Sequence, residues 1–184
     1  MSDSDAAAGR LFVTEAASSF QFLTDDYGME GPIVDDVPFA VWMVFKARET
    51  AVKVTYDTRD QLIETFLVKL VNRDLPPYDE TEATHYMGTE SLAALTAQER
   101  SLADAALKQR TSEEFRRVLR WHASVIREFG DVLRGDFARF DQAIAERVAY
   151  IAEAERDYQR ELLGEATARP PTRLARWFRR RRAS

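Results

Sequence analysis

Apolar positions along the chain change period twice. Leu11, Phe12, Ala16, Phe20, Phe22 and Leu23 recur mainly at i, i+3, i+4, which predicts an amphipathic helix over about 10–26, with Gly28 as its C-cap. The small and acidic residues of 1–9 read as a disordered N-terminus. Pro32 and Pro38 then bound a short apolar piece at Ile33 and Val34, an edge strand by the tolerance of proline there. Three β-branched and aromatic runs follow at about 39–47, 51–57 and 61–71. Their connections are too short for anything but antiparallel neighbours. In the middle run Val52, Val54 and Tyr56 alternate with Lys53, Thr55 and Asp57, giving one dry and one wet face. The flanking runs are apolar on both faces, so a helix or another chain is expected to cover part of the second face.

The helical period returns after a proline-bearing acidic connector, 73–88. Thr111 and Glu114 have the spacing of a capping box, and Thr96 with Glu99 offers a second start or an interruption in a helix over about 90–109. Phe115, Val118, Leu119, His122, Val125, Ile126, Phe129, Val132 and Leu133 form one apolar stripe, continued by Phe137, Phe140, Ile144, Val148, Ile151, Tyr158 and Leu162. Either Gly135-Asp136 turns the chain into a helical hairpin, or one helix of about 50 residues, roughly 75 Å long, runs through and needs a partner chain. The glycine–aspartate pair favours the hairpin. Together these elements predict an α+β fold: an opening helix on a three- or four-stranded antiparallel meander (10–72), the connector (73–88), a helical region of two or three long helices (89–164) and a basic tail (165–184).

Charge sharpens that organisation. The chain carries 31 acidic and 26 basic residues, for a net charge of −5. Seven of those arginines lie in the last sixteen residues, so the other 19 basic residues against all 31 acids leave −12 on the body and +7 on the tail. Cysteine is absent, which excludes disulfides, thiolate metal sites and cysteine nucleophiles and fits a reducing, cytoplasmic location. The opening MSDSDAAAGR has neither the basic nor the apolar region of a signal peptide, and no apolar run approaches the roughly 20 residues of a membrane span.

Catalytic constellations do not assemble from the sequence. The seven glycines form no phosphate-cradling loop, and neither His85 nor His122 sits in a metal-ligating cluster. His122 falls on an apolar stripe and reads as a hydrogen-bonded core residue, with a buried pH-sensitive group as the competing reading. His85, among Tyr78, Asp79, Glu80, Glu82 and Tyr86, is the one candidate general base, but it lacks a nucleophile partner. The pairs Asp25/Asp26, Asp35/Asp36 and Asp57/Asp60 read as turn and surface groups. No catalytic residue, metal or cofactor is therefore expected. Asp35, Asp36, Trp42, Asp79, Glu80 and Glu82 instead outline an acidic and apolar surface suited to a basic protein partner.

The tail carries a second interaction signal. After Pro170-Pro171, Leu174, Trp177 and Phe178 fall at i, i+3, i+4 among Arg173, Arg176, Arg179, Arg180, Arg181 and Arg182. Such an edge suits an anionic membrane surface at the periphery of the cell membrane, a nucleic acid, or the protein's own acidic body. Self-association through the helices would raise its effect by multivalency.

Phe20-Gln21-Phe22-Leu23 followed by Tyr27-Gly28, and the hairpin Tyr56-Asp57-Thr58-Arg59, resemble a group of uncharacterised small bacterial α+β proteins. Their opening helix has the form F-x-F-L-x-x-x-Y-G and their sheet hairpin reads Y-D-x-R. The resemblance spans 11–71 and consists of core and turn residues. Some of that group look like immunity or conflict-system components, which implies a non-enzymatic, protein-binding role.

Overall fold

The computed structural model describes residues 3–77, 84–95 and 110–162. The opening helix, α1 (Asp3–Phe20), begins at Asp3 rather than near residue 10, so the expected disorder of 1–9 does not hold from Asp3 onward. The stretch Ala6-Ala7-Ala8 has high helix propensity, Ala8 is buried, and Arg110 holds Asp5 at 2.7 Å. Ala8, Phe12, Ala16 and Phe20 form the buried stripe at a spacing of four. A single-turn helix, α2 (Phe22–Asp25), follows after a break at Gln21. Phe20 and Phe22 are both buried; two residues apart on one helix they would point about 200° apart, so the break lets both reach the core. Gly28, at φ +63°, then ends the turn, its N–H donating to the Thr24 carbonyl at 3.1 Å.

Five antiparallel strands follow in simple sequential order: β1 (Glu30–Val37), β2 (Ala40–Lys46), β3 (Thr50–Asp57), β4 (Leu62–Lys69) and β5 (Tyr86–Gly88). The first four match the expected runs. β5 enlarges the expected three- or four-stranded meander and lies inside the stretch expected to be connector. Its three residues are too few to show a period, and pairing with Phe66, Leu67 and Val68 holds it. Turn chemistry fixes the register. The Asp57 carboxylate accepts the amides of Arg59 and Asp60 at 2.7 and 2.9 Å, as the turn reading of that acid pair expects.

Alternation sorts the strands into two faces. Val41, Met43, Phe45, Val52, Val54, Tyr56, Ile63 and Leu67 are buried together on the inner face. α1 and α4 (Ser112–Arg127) pack over it, with the Tyr56 ring 5.6 Å from Phe12 and 5.1 Å from Phe115. On the outer face Val44, Ala51, Val68, Leu70 and Tyr86 form a second cluster under Leu75 and Phe66. Among the described residues the segment after β4 supplies cover here, and the Tyr86 hydroxyl fixes it by donating to the Pro76 carbonyl at 2.6 Å.

The helical region is interrupted rather than continuous. α3 (Thr89–Leu95) precedes α4, α5 (Gly130–Leu133) and α6 (Ala138–Leu162), so the single helix of about 50 residues is excluded. Thr111 caps α4 as its spacing predicts, accepting the Glu114 amide at 3.3 Å. The apolar stripe survives the break because Phe129, Val132 and Leu133 stay buried. Gly135 at φ +93° turns the chain, and the Asp136 carboxylate accepts the Ala138 amide at 3.1 Å to start α6. Residues through Phe140 form one compact unit, and a second begins at Asp141. Among the described residues no helix is long and apolar enough to cross a membrane.

Candidate protein-binding edge

β1 is an edge strand, exposed over all but its last residue. Glu30 through Asp36 are all open to solvent, β2 is its sole strand neighbour, and no described segment extends the sheet beyond it. Gly31, the second residue of the strand, has φ +127°, and a Cβ there would lie 2.7 Å from the Val44 carbonyl oxygen. Only glycine fits so close an approach, and the register with β2 is irregular between Glu30 and Ile33. Ile33 is 56% exposed and Val34 46%. Such an edge offers unpaired backbone N–H and C=O groups to a further strand.

The charge on this strand is one-sided. Glu30, Asp35 and Asp36 are its ionisable residues, so it carries acids and no base. Asp35 pairs in register with Trp42 and Asp36 with Val41, which puts the two carboxylates on opposite faces of the sheet. They therefore cannot converge on one metal or one substrate atom. They flank the strand from both sides, and acidic residues on an edge also discourage self-pairing.

Beside Asp35, the Trp42 ring carries the Lys53 ammonium 3.5 Å from its centroid, a cation–π contact. Burial against this surface lowers the Lys53 pKa, and Glu64 opposes the shift. Phe39, in the β1–β2 turn, is 57% exposed and carries the Arg59 guanidinium 4.5 Å from its centroid. Edge, turn and outer face thus present apolar groups among charges. Of the sequence candidates, Asp35 and Trp42 are register partners on the outer face, and Asp36 lies on the inner face of the same edge. Asp79, Glu80 and Glu82 lie outside the described residues, as do Arg173, Leu174, Arg176, Trp177, Phe178, Arg179, Arg180, Arg181 and Arg182 of the tail.

The two histidines sit in different surroundings. His122 is fully buried, with Nδ1 2.6 Å from the Thr89 hydroxyl. Desolvation lowers its pKa from 6.5 to about 3, against a weaker opposite push from the Ile63 backbone. The ring is neutral, as the core reading expects. His85 is half-buried and its Nδ1 has no partner among the described residues. Its backbone carbonyl accepts the Lys69 amide at 2.9 Å. Among the described residues no group of three or more histidines or carboxylates is placed to hold a metal.

Sequence reasoning missed the positive regions of the body. Arg116, Arg120 and Arg127 line a cleft between α1 and α4 together with Ser18, Ser19 and Ser124, so the −12 body is not uniformly acidic. Their spacing along α4, four and then seven, was the available signal. Two of the three are already engaged. Arg116 pairs with the buried Glu15 at 2.9 Å, and Arg127 lies 3.7 Å from Asp26 and 3.8 Å from the Phe22 ring centroid. Bonds from Arg116 and Ser112 hold the Glu15 carboxyl below its usual pKa. Comparison with protein families, with characterised proteins and with solved structures found nothing that matches this chain.

Proposed function

We propose that this chain is a non-enzymatic protein-binding module of the bacterial cytosol, an accessory of the immunity or conflict-system kind, and that β1 receives its partner. The occupant is an extended, basic segment of a partner polypeptide that adds a strand to the sheet. The observation that carries the reading is the open β1 edge, acidic on both faces and apolar at its centre. Backbone pairing would supply affinity, with lysines or arginines facing Asp35 and Asp36 and apolar side chains beside Ile33 and Val34. Trp42 and Phe39 would form the adjoining rim.

A helical hairpin or coiled coil in the helical region, and self-association through it, belongs to the same reading. Val148 and Tyr158 on α6 are exposed apolar groups that support it, and light scattering that returns a monomer would remove it.

The test combines capture with mapping. A partner retained by the full chain should protect β1 amides from hydrogen exchange, dissociate with rising salt and lose binding to an Asp35→Lys/Asp36→Lys variant of unchanged circular dichroism. A footprint on the α1–α4 arginine cleft, no retained partner, or small-molecule turnover that depends on His85 would overturn the reading.

A further inference from the structure

Where β4 ends, three stretches of the chain line an open concavity of about 610 Å³, within the usual range of about 300–1,000 Å³ for small-molecule sites. Arg48 and Glu49 come from the β2–β3 turn, Lys69 and Leu70 from the end of β4, Asn72 and Arg73 from the turn beyond it, and Phe137 from the segment before α6. The walls are tied together. The Leu70 amide donates to the Glu49 carbonyl at 2.8 Å, and Val71 and Asp74 exchange backbone hydrogen bonds at 3.0 and 2.9 Å.

That exchange closes a two-residue turn and sets Asn72 at φ +53° and Arg73 at φ +70°. Asparagine accepts the left-handed region readily, whereas arginine has no such preference. The closed turn holds Arg73 there, at the rim of the concavity. The Lys69 ammonium, also in the lining, lies 4.8 Å from the Phe137 ring centroid. Among the described residues neither Arg48 nor Arg73 has an ion-pair partner. The two guanidiniums thus line the concavity together with the Lys69 ammonium and one carboxylate, Glu49.

We propose that this concavity binds a small phosphate-bearing anion carrying two or more negative charges, a diphosphate or a nucleoside diphosphate. Guanidinium forks match phosphate oxygens with paired hydrogen bonds, and an ammonium adds a point charge. A monocarboxylate would leave part of the positive charge uncompensated. The α1–α4 cleft is a weaker host, because Glu15 already engages Arg116 and Asp26 faces Arg127. The site uses neither β1 nor Trp42, so it stands independently of the partner-binding edge.

Calorimetry on the full chain with sodium pyrophosphate tests the assignment, with sodium sulfate at equal ionic strength as the control. Saturable pyrophosphate binding is expected, weakened about tenfold or more in the Arg48→Ala/Arg73→Ala variant, as loss of two charge-assisted contacts implies. Arg48 and Arg73 are exposed, so the variant should keep the wild-type circular dichroism. Adenosine diphosphate should compete for the same site. Tighter binding of it identifies a nucleotide as the source of the phosphate, equal binding a simple diphosphate, and either supports the proposal. No saturable binding, equal binding of sulfate, an unchanged double variant, or loss of binding in Arg120→Ala instead would overturn it.

Discussion

Val34 of β1 and Met43 of β2 are register partners on the same side of the sheet, yet Met43 is fully buried and Val34 is 46% exposed. The residues differ little in hydrophobicity. What separates them is reach: α1 and α4 close over β2, β3 and β4, and their cover stops short of β1. An apolar side chain under a helix becomes core, and the same kind of side chain one strand away becomes a surface for another molecule. The outer face repeats the lesson at smaller scale. Val44 lies in the cluster beneath Leu75, while Trp42, two residues back on the same face, is partly open beneath Lys53.

The sharpest way to break this comparison is to place a charge on each side of it, beginning with the buried side. Met43→Lys would put an ammonium among Val41, Phe45, Val54 and their neighbours with no acid beside it. A loss of about 4 kcal/mol or more is expected, enough to unfold a domain of ordinary stability. Circular dichroism and urea unfolding read it directly. A folded, stable Met43→Lys protein would show that the inner face is not the core.

The next effect is a pH dependence carried by the core. Folded His122 titrates near 3 and the unfolded residue near 6.5, so between those values the unfolded chain takes up a proton that the folded one refuses. This stability is fully present above pH 6.5 and is lost as pH falls toward 3, at up to about 1.4 kcal/mol per unit. A His122→Gln variant, whose amide can still meet Thr89, should lose that slope. Urea unfolding at pH 7.5, 6 and 5 gives the comparison, and an equal slope in both proteins would place the imidazole in solvent.

Glu15 comes below this. Its carboxylate is buried at the α1–α4 cleft and bonded by Arg116 and Ser112. Glu15→Gln is expected to cost about 1–2 kcal/mol, reduced by the exposure of Arg116. Because its folded pKa is lowered, the contribution is present above the usual carboxylate value and lost as pH falls through the folded one. Unfolding at pH 7 and pH 3 should therefore separate wild type from Glu15→Gln more widely at pH 7 than in acid.

The strands and the main helices were legible in the sequence because each has a period long enough to count. Val52, Val54 and Tyr56 announce a half-buried strand, and Phe115 through Ile126 announce the buried side of α4. The capping threonine and the Gly135-Asp136 break were legible because their chemistry is local. β5 was not, since three residues carry no period and Tyr86–Gly88 is held by a distant strand. Asp35, Asp36 and Trp42 could be nominated by charge and type. The exposure of Val34 depends on how far two helices extend over the inner face, which no local pattern encodes. The Arg48, Lys69 and Arg73 concavity depends on turns meeting in space, because Arg48 and Phe137 come to the 69–73 stretch from distant parts of the sequence.

Val34→Lys should give the smallest change in stability and the most informative one. It places on β1 the same charge that Met43→Lys places on β2, at its register partner one strand away. With the side chain in water at an edge, the expected shift is within about 0.5 kcal/mol. Lysine on an exposed edge also opposes strand addition, so the variant should bind the partner less well while unfolding at nearly the same urea concentration. The pairing of those results matters more than either alone. A loss of several kcal/mol would mean that β1 belongs to the core, and undiminished binding would mean that the partner reads another surface. Unchanged stability with weakened binding would show that folding stops at β2 and recognition begins at β1.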